Sequence, residues 1–227
     1  MIGYEEGAAY RQRRLFPGFQ HGYYSLDDAR RWRFFTYIFS EQVPPPYESV
    51  LRCEKHKGFG LVFDSPWKDL FPGEKSVKVK TPKRTYDFDA VIVCTGFDVN
   101  LMDRPEIASF RHAIETWSTH VPAEEAAKHP EEARFPYLGD AFQLVSGNPD
   151  FSAALARVHV FNWGCTMSHG ALAGDIPGLE IGARRLANGI VRDLFVEDAD
   201  EHWLRLQRHN EDELSSTGYF IPLGKRK

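Results

Sequence analysis

The hydrophobic pattern changes its period along the chain. Leu26, Ala29, Trp32, Phe35 and Phe39 recur at spacings of three and four, which predicts an amphipathic helix. Ser25 precedes it and Asp28 follows three residues later, a variant of the capping box. Pro44-Pro45-Pro46 stops it. Leu179, Ala183, Leu186, Ile190 and Leu194 repeat the helical period further on, so a second helix is expected from Ile176 to Phe195. Pro177 suits its first turn and Asp175 its N-cap. A shorter helix is expected over Asp200 to Leu206.

Other stretches read as strands. Ser49–Cys53 and Gly60–Phe63 are expected strands, and Val77-Lys78-Val79-Lys80 alternates as a half-exposed antiparallel strand does. Residues 75–96 then read as a hairpin feeding a buried strand. Val91-Ile92-Val93 is β-branched without a polar break and stops at Cys94-Thr95-Gly96, a pattern of parallel strands buried on both faces. Ligands of open α/β sheets bind beyond such strand ends; a core strand with a tight turn and no ligand fits the same residues. Arg157 to Gly164 is a second expected buried strand. Between the two, residues 98–150 read as a long surface excursion with short helical turns, a polar helix from Glu124 to Ala133 and an aromatic anchor from Ala133 to Gly139. The class is α/β.

Size and charge narrow the picture. The chain has 227 residues, 42% hydrophobic and 26% charged, enough for one large domain or two small ones. A net charge of -4 argues against nucleic acid or a membrane surface as partner. Cys53, Cys94 and Cys165 are odd in number and lack a C-x-x-C pair, which speaks for a reducing compartment. The start carries no signal-peptide pattern, and the longest buried-type run, Ala90 to Cys94, is too short to span a bilayer. A soluble cytoplasmic protein is expected. No H-E-x-x-H or other metal spacing occurs, and no G-x-S-x-G elbow.

One combination has chemical content: strand, then a small-residue loop from Cys165 to Asp175, then a helix start. Free N–H groups over Asp175–Leu179 favour an electron-rich group such as a phosphate or a flavin carbonyl edge; an ordinary capped helix is the plain alternative. His169, beside Gly170, is the histidine in a site-like context. Gly58-Phe59-Gly60 lacks the third glycine and the following helix of a dinucleotide fingerprint.

Phe88-Asp89-Ala90-Val91-Ile92-Val93-Cys94-Thr95-Gly96-Phe97 resembles the D-x-V-I-x-A-T-G-Y/F segment of class B flavoprotein monooxygenases, with Cys94 in place of the usual Ala. Asn162 and the His169-Gly170 pair, leading to the helix at Ile176, look most like the lysine and ornithine N-hydroxylase branch. The resemblance implies a partial Rossmann-like, two-domain flavoprotein fold using FAD and NADPH. It places Thr95 and Gly96 near cofactor, and Asp175, Ile176 and Pro177 near the flavin, with Asn162, His169 and Gly170 in the same loop region. Residues 1–97 would end the NAD(P)-binding domain and 98–227 the FAD-binding domain. The family opens on G-x-G-x-x-G and has a second glycine-rich motif; this chain has neither. It therefore reads as a carboxyl-terminal part, or a gene model begun at an internal Met, whose partners are a small-molecule substrate and the missing amino-terminal half, with homo-oligomers possible. No catalytic residue and no metal ligand is assigned. The implied activity is NADPH-dependent reduction of flavin and transfer of one oxygen atom from O2. The alternatives are a flavin-dependent reductase or dehydrogenase without oxygenation, or a non-catalytic interaction module.

Overall fold

The computed structural model describes residues 17–41, 45 and 47–210. The basic cluster at Arg11, Arg13 and Arg14 and the tail Lys225–Lys227 lie outside them. Helix α1 spans Pro17–Gly22, a 3-10 turn covers Tyr23–Ser25, and α2 runs over Asp28–Glu41. Its start is set by Asp27, whose Oδ1 accepts the Arg30 N–H at 2.8 Å. Ser25, the expected cap, lies inside the preceding turn. The expected stripe holds at Trp32 and Phe35, which are buried, while Ala29 is exposed.

The expected strand at Ser49–Cys53 is helix α3, Tyr47–Glu54, which buries no residue. With no strand beside it, the segment satisfies its backbone groups internally. Gly60–Phe63 forms no strand either, and Leu61, Val62 and Phe63 are exposed. The sheet consists of β1 (Asp69–Pro72), β2 (Val77–Lys80) and β3 (Thr85–Phe88), antiparallel in that order. The Gly73 N–H closes the first turn on the Ser76 carbonyl at 2.7 Å, and the Thr81 N–H closes the second on Arg84 at 2.9 Å. Val79 points inward between two exposed lysines, as its alternation requires.

The Val91–Val93 run does not become a buried strand. It lies outside any strand, with Ile92 84% exposed. A β-branched run forms a strand only where a neighbour completes its ladder. The strand pairs among the described residues are all antiparallel, and none includes this run. The expected buried strand at Arg157–Gly164 is a short antiparallel ribbon. His159 bridges Gln143, the Leu144 N–H donates to Val158, and the Val160 N–H donates to Phe142, both at 2.8 Å.

Residues 98–150 are core rather than surface excursion. They supply Ala113, Ile114, Leu138, Phe142 and Leu144 to one apolar cluster, and Trp117, Ala133 and Phe135 to a second that includes Trp32 and Phe35. Short helices α4 (Ala123–Lys128), α5 (Pro130–Ala133) and α6 (Pro149–Leu155) lie in or just beyond this segment. Its apolar residues follow no single period because each short turn resets the facing. Helix α7, Thr166–His169, plugs into it through Ser168. The Ser168 hydroxyl accepts the Trp117 indole N–H at 3.1 Å and the Leu138 N–H at 3.2 Å, and donates to the Pro136 carbonyl at 3.4 Å.

Helix α8 spans Ile176–Glu197 and α9 Ala199–Arg208. Their extents match expectation, but α8 is turned differently from its hydrophobic repeat. Gly178, Gly182 and Gly189 are its buried residues, while Leu179, Ile190 and Leu194 are exposed. A Cβ on Gly178 would stand 2.1 Å from the Ala171 carbonyl oxygen, one on Gly182 2.4 Å from that of Leu172, and one on Gly189 2.2 Å from Ala141 Cβ. The helix thus lies backbone-close on residues 171–172.

Gly182→Ala tests this packing. Alanine adds about 1 kcal/mol of helix propensity, yet overpacking against a backbone carbonyl costs about 1–3 kcal/mol or more. The substitution is expected to lower the urea midpoint of the full chain. Gly58→Ala, which meets nothing within 4 Å, should be neutral or slightly stabilising. A midpoint raised by Gly182→Ala would show that the helix does not sit this close.

Candidate functional site

Two stretches far apart in sequence line one cavity of about 410 Å³: Thr95-Gly96-Phe97 on one side, Gly170-Ala171 with Gly174-Asp175 on the other. The remaining wall is aromatic, from Phe19, Tyr23, Phe35, Phe39 and Trp163. Two glycines at its edge hold left-handed backbone, Gly96 at φ 89° and Gly170 at φ 71°, which other residues adopt only with strain. A Cβ at Gly170 would also press on Phe19 and Tyr23 at 3.3 and 3.4 Å. One at Gly174 would stand 2.4 Å from the Trp163 ring.

The wall is held from outside. The Tyr23 hydroxyl faces the Arg31 carbonyl at 3.0 Å and the Met167 carbonyl at 3.2 Å, and burial raises its pKa. Asn162 Oδ1 accepts the Gly164 N–H at 2.8 Å and starts the turn that carries Trp163. The Thr166 hydroxyl donates to the Trp163 carbonyl at 2.7 Å. Arg31 is buried, bonded to Asp28, the Tyr137 hydroxyl and the Ser168 carbonyl. Its guanidinium lies over the Tyr24, Trp117 and Tyr137 rings, and that contact with aromatic faces favours the buried charge. Cys165 is buried and its thiol is pushed up to about 12, chiefly by desolvation, so it is an inert core group.

Of the residues singled out in the sequence, Thr95, Gly96, Gly170 and Asp175 meet at this cavity. Asp175 occupies the N-cap position of α8, though its side chain makes no capping hydrogen bond. Asn162 lines an adjoining cavity. Ile176, 88% exposed, and Pro177 stand on the outer surface of the helix start, with the Pro177 carbonyl accepting from Gln20 Nε2 at 3.4 Å. At this helix start the cavity is lined by Gly174 and Asp175, not by Ile176 or Pro177.

His169 is not a cavity residue. It is fully buried, stacked on Phe142 at 3.9 Å and Tyr24 at 4.6 Å between ring centres. Arg185 can only donate, so His169 Nδ1 accepts from it at 3.2 Å; the Gly139 carbonyl can only accept, so Nε2 carries the proton at 2.8 Å. Both nitrogens are used within the core, which leaves none for a ligand. The aromatic wall had a readable signal: Phe35 and Phe39 share a helical face. Phe19 and Tyr23 gave no such pattern.

Burial, reinforced by the Arg185 charge, lowers the His169 pKa to about 3. Unfolded histidine titrates near 6.5. Between these values the unfolded chain binds the extra proton, so stability falls as pH drops from about 6.5 towards 3, by at most about 1.4 kcal/mol per pH unit. The His169 ring signals in a proton–nitrogen NMR titration are expected to stay fixed from pH 8 to 5. A midpoint near 6.5 would contradict the buried, neutral assignment.

No protein-family model matches this chain, and no solved structure does. Among the described residues no cluster of His, Cys, Asp or Glu is arranged for a metal ion, and no helix is long and apolar enough to cross a membrane. The chain is similar to the FAD-dependent urate hydroxylase of Xanthomonas campestris pv. campestris, 31% identical over 174 residues, which is 77% of this chain and 37% of that protein. It spans little more than a third of that relative's length. The similarity supports a relationship to flavin-dependent monooxygenases in the broad sense, not to one branch of them.

Proposed function

We propose that this chain forms part of an FAD-dependent, NADPH-consuming monooxygenase, with the 410 Å³ cavity seating the flavin ring. One observation carries the reading. Thr95-Gly96 and Gly170 to Asp175, the two stretches with flavoprotein character, meet on one aromatic cavity in a chain similar to an FAD-dependent hydroxylase. The lining fits a flat, electron-poor ring: aromatic faces for stacking, glycines where side chains would intrude, and few polar groups. Thr95, Gly96, Gly170 and Asp175 would hold it. Bound flavin supplies hydride acceptance from NADPH and activation of O2 for transfer of one oxygen atom to a small substrate. Tyr23, Phe35 and Trp163 exclude water from the ring's surroundings.

The site is suited to the ring and not to the whole dinucleotide. The sequence holds no G-x-G-x-x-G loop to cradle a pyrophosphate. Ile92, Phe97 and Ile176 are exposed apolar residues, and Phe97 lines the cavity. They suit cover by a dinucleotide-binding segment, whose strand would also pair Val91–Val93.

Titration of the full chain with riboflavin and with FAD, followed by flavin fluorescence, tests the reading. Riboflavin is expected to bind weakly and be quenched by the aromatic wall, and FAD to bind no more than about tenfold tighter, since its diphosphate gains no cradle. Gly174→Val, with its fold checked by circular dichroism, should weaken both. Unquenched flavin, or equal binding by Gly174→Val, would overturn the ring-site reading. A chain that purifies yellow with stoichiometric FAD would overturn the missing-cradle argument.

A further inference from the structure

The loop between α3 and the sheet carries an apolar surface outside the candidate site. Phe59, Leu61, Val62, Phe63 and Trp67 fall within nine residues and are between 40% and 72% exposed. None of them lines the candidate site or the adjoining cavity, so they offer side chains for insertion and not a pocket to be filled. Single exposed apolar residues are ordinary, but five in one loop mark an interaction surface.

This loop is tied to a basic part of the chain. The Phe63 carbonyl accepts from Lys83 Nζ at 2.9 Å and from the Ser65 hydroxyl at 3.1 Å. The Lys68 N–H donates to the Lys80 carbonyl at 2.8 Å. Arg52 to Arg84 holds nine Lys and Arg against four Asp and Glu, a surplus of five positive charges in a chain whose net charge is -4. All nine cations are exposed, and none forms an ion pair among the described residues. Hydrated lysines need no partner; what they supply is an uncompensated positive field around the apolar loop. The whole-chain charge, which argues against a membrane surface, averages this segment away.

We infer that this face binds the surface of an anionic lipid bilayer, with Leu61, Val62 and Phe63 entering the boundary between headgroups and acyl chains and the flanking lysines facing the headgroups. The two features ask for different layers of one partner: anionic groups at the level of the lysines, and an apolar phase next to them. A bilayer presents both. Nucleic acid offers phosphates but no apolar phase for Leu61 and Val62, and a free phosphate offers the loop nothing. Trp67 suits the boundary itself, where an indole keeps its ring in an apolar layer and its N–H hydrated. Lysines and apolar side chains act together here, because one such signal alone gives only marginal, reversible attachment. The inference is independent of the flavin reading of the candidate site.

The experiment is flotation of the full chain with phosphatidylcholine vesicles that contain about 30% phosphatidylserine, and with phosphatidylcholine vesicles alone. Binding to the mixed vesicles is expected, about tenfold or more weaker to the neutral ones, and lowered by about 0.5 M salt. Lys55→Glu combined with Lys57→Glu is expected to reduce it by about tenfold or more. Leu61→Ser combined with Phe63→Ser is expected to reduce it by about tenfold. All four side chains are exposed, and circular dichroism checks that the variants fold. Val196→Ser replaces an apolar residue of α8 that is 65% exposed; it reports general stickiness and should change nothing. Equal binding to both vesicles, binding indifferent to the lysine reversals or to the loop substitutions, an equal loss with Val196→Ser, or no vesicle binding would each overturn the inference. Capture of polyglutamate without vesicle binding would overturn it in favour of an acidic polypeptide.

Discussion

The close approach of α8 to residues 171–172 is the constraint on which the candidate site depends. Gly178 and Gly182 let the helix lie on the Ala171 and Leu172 carbonyls at separations no side chain would permit. That contact fixes the loop from Gly170 to Asp175, which is one wall of the first cavity. Arg185, on the same helix, then reaches His169 Nδ1 and the carbonyls of Gln20 and His21. Helix α1, α7 and α8 are thereby tied at one point, and Tyr23 just beyond α1 is carried to the cavity. On the opposite side Ser168 binds Trp117 and Leu138, so the loop is anchored to the core formed by residues 98–150. Desolvation alone makes these bonds matter: each lost partner would leave a buried polar group unsatisfied, at about 1–3 kcal/mol.

The limits of the sequence as a guide follow from the same contacts. Helix α8 was legible in extent because its period is strong. Its facing was not, since a hydrophobic repeat records side chains and this interface buries backbone through glycines. Residues 98–150 look polar in sum, yet Trp117, Leu138 and Phe142 are fully buried; short turns give them no common period to detect. The Ser49–Cys53 segment has the composition of a strand and becomes a helix because a strand is not a local structure. His169 drew notice by its place beside Gly170, but placement in a glycine-containing loop says nothing about burial. Thr95, Gly96, Gly170 and Asp175 were singled out in the sequence, and that they line one cavity is a finding of the fold. Of the aromatic wall only the shared face of Phe35 and Phe39 was legible; Phe19, Tyr23 and the adjoining cavity came from the fold, because their residues are gathered from separated stretches.

The unpaired run at Val91–Val93 is where these threads join. It leads without a break into Gly96, whose positive φ turns the chain, and then into Phe97, which is 74% exposed although it faces Trp163. Phe97 and Trp163, the two halves of the wall that the first cavity shares with the adjoining one, are therefore unequally secured. Trp163 is held by the Asn162 cap, the Thr166 hydroxyl and Gly174 beneath its ring. Phe97 follows a segment whose backbone makes no ladder bonds among the described residues. A strand added along Val91–Val93 would fix three backbone positions just before the turn at Gly96, and so steady Phe97. Under the proposed reading, a strand paired along that run would steady the less secured half of this wall.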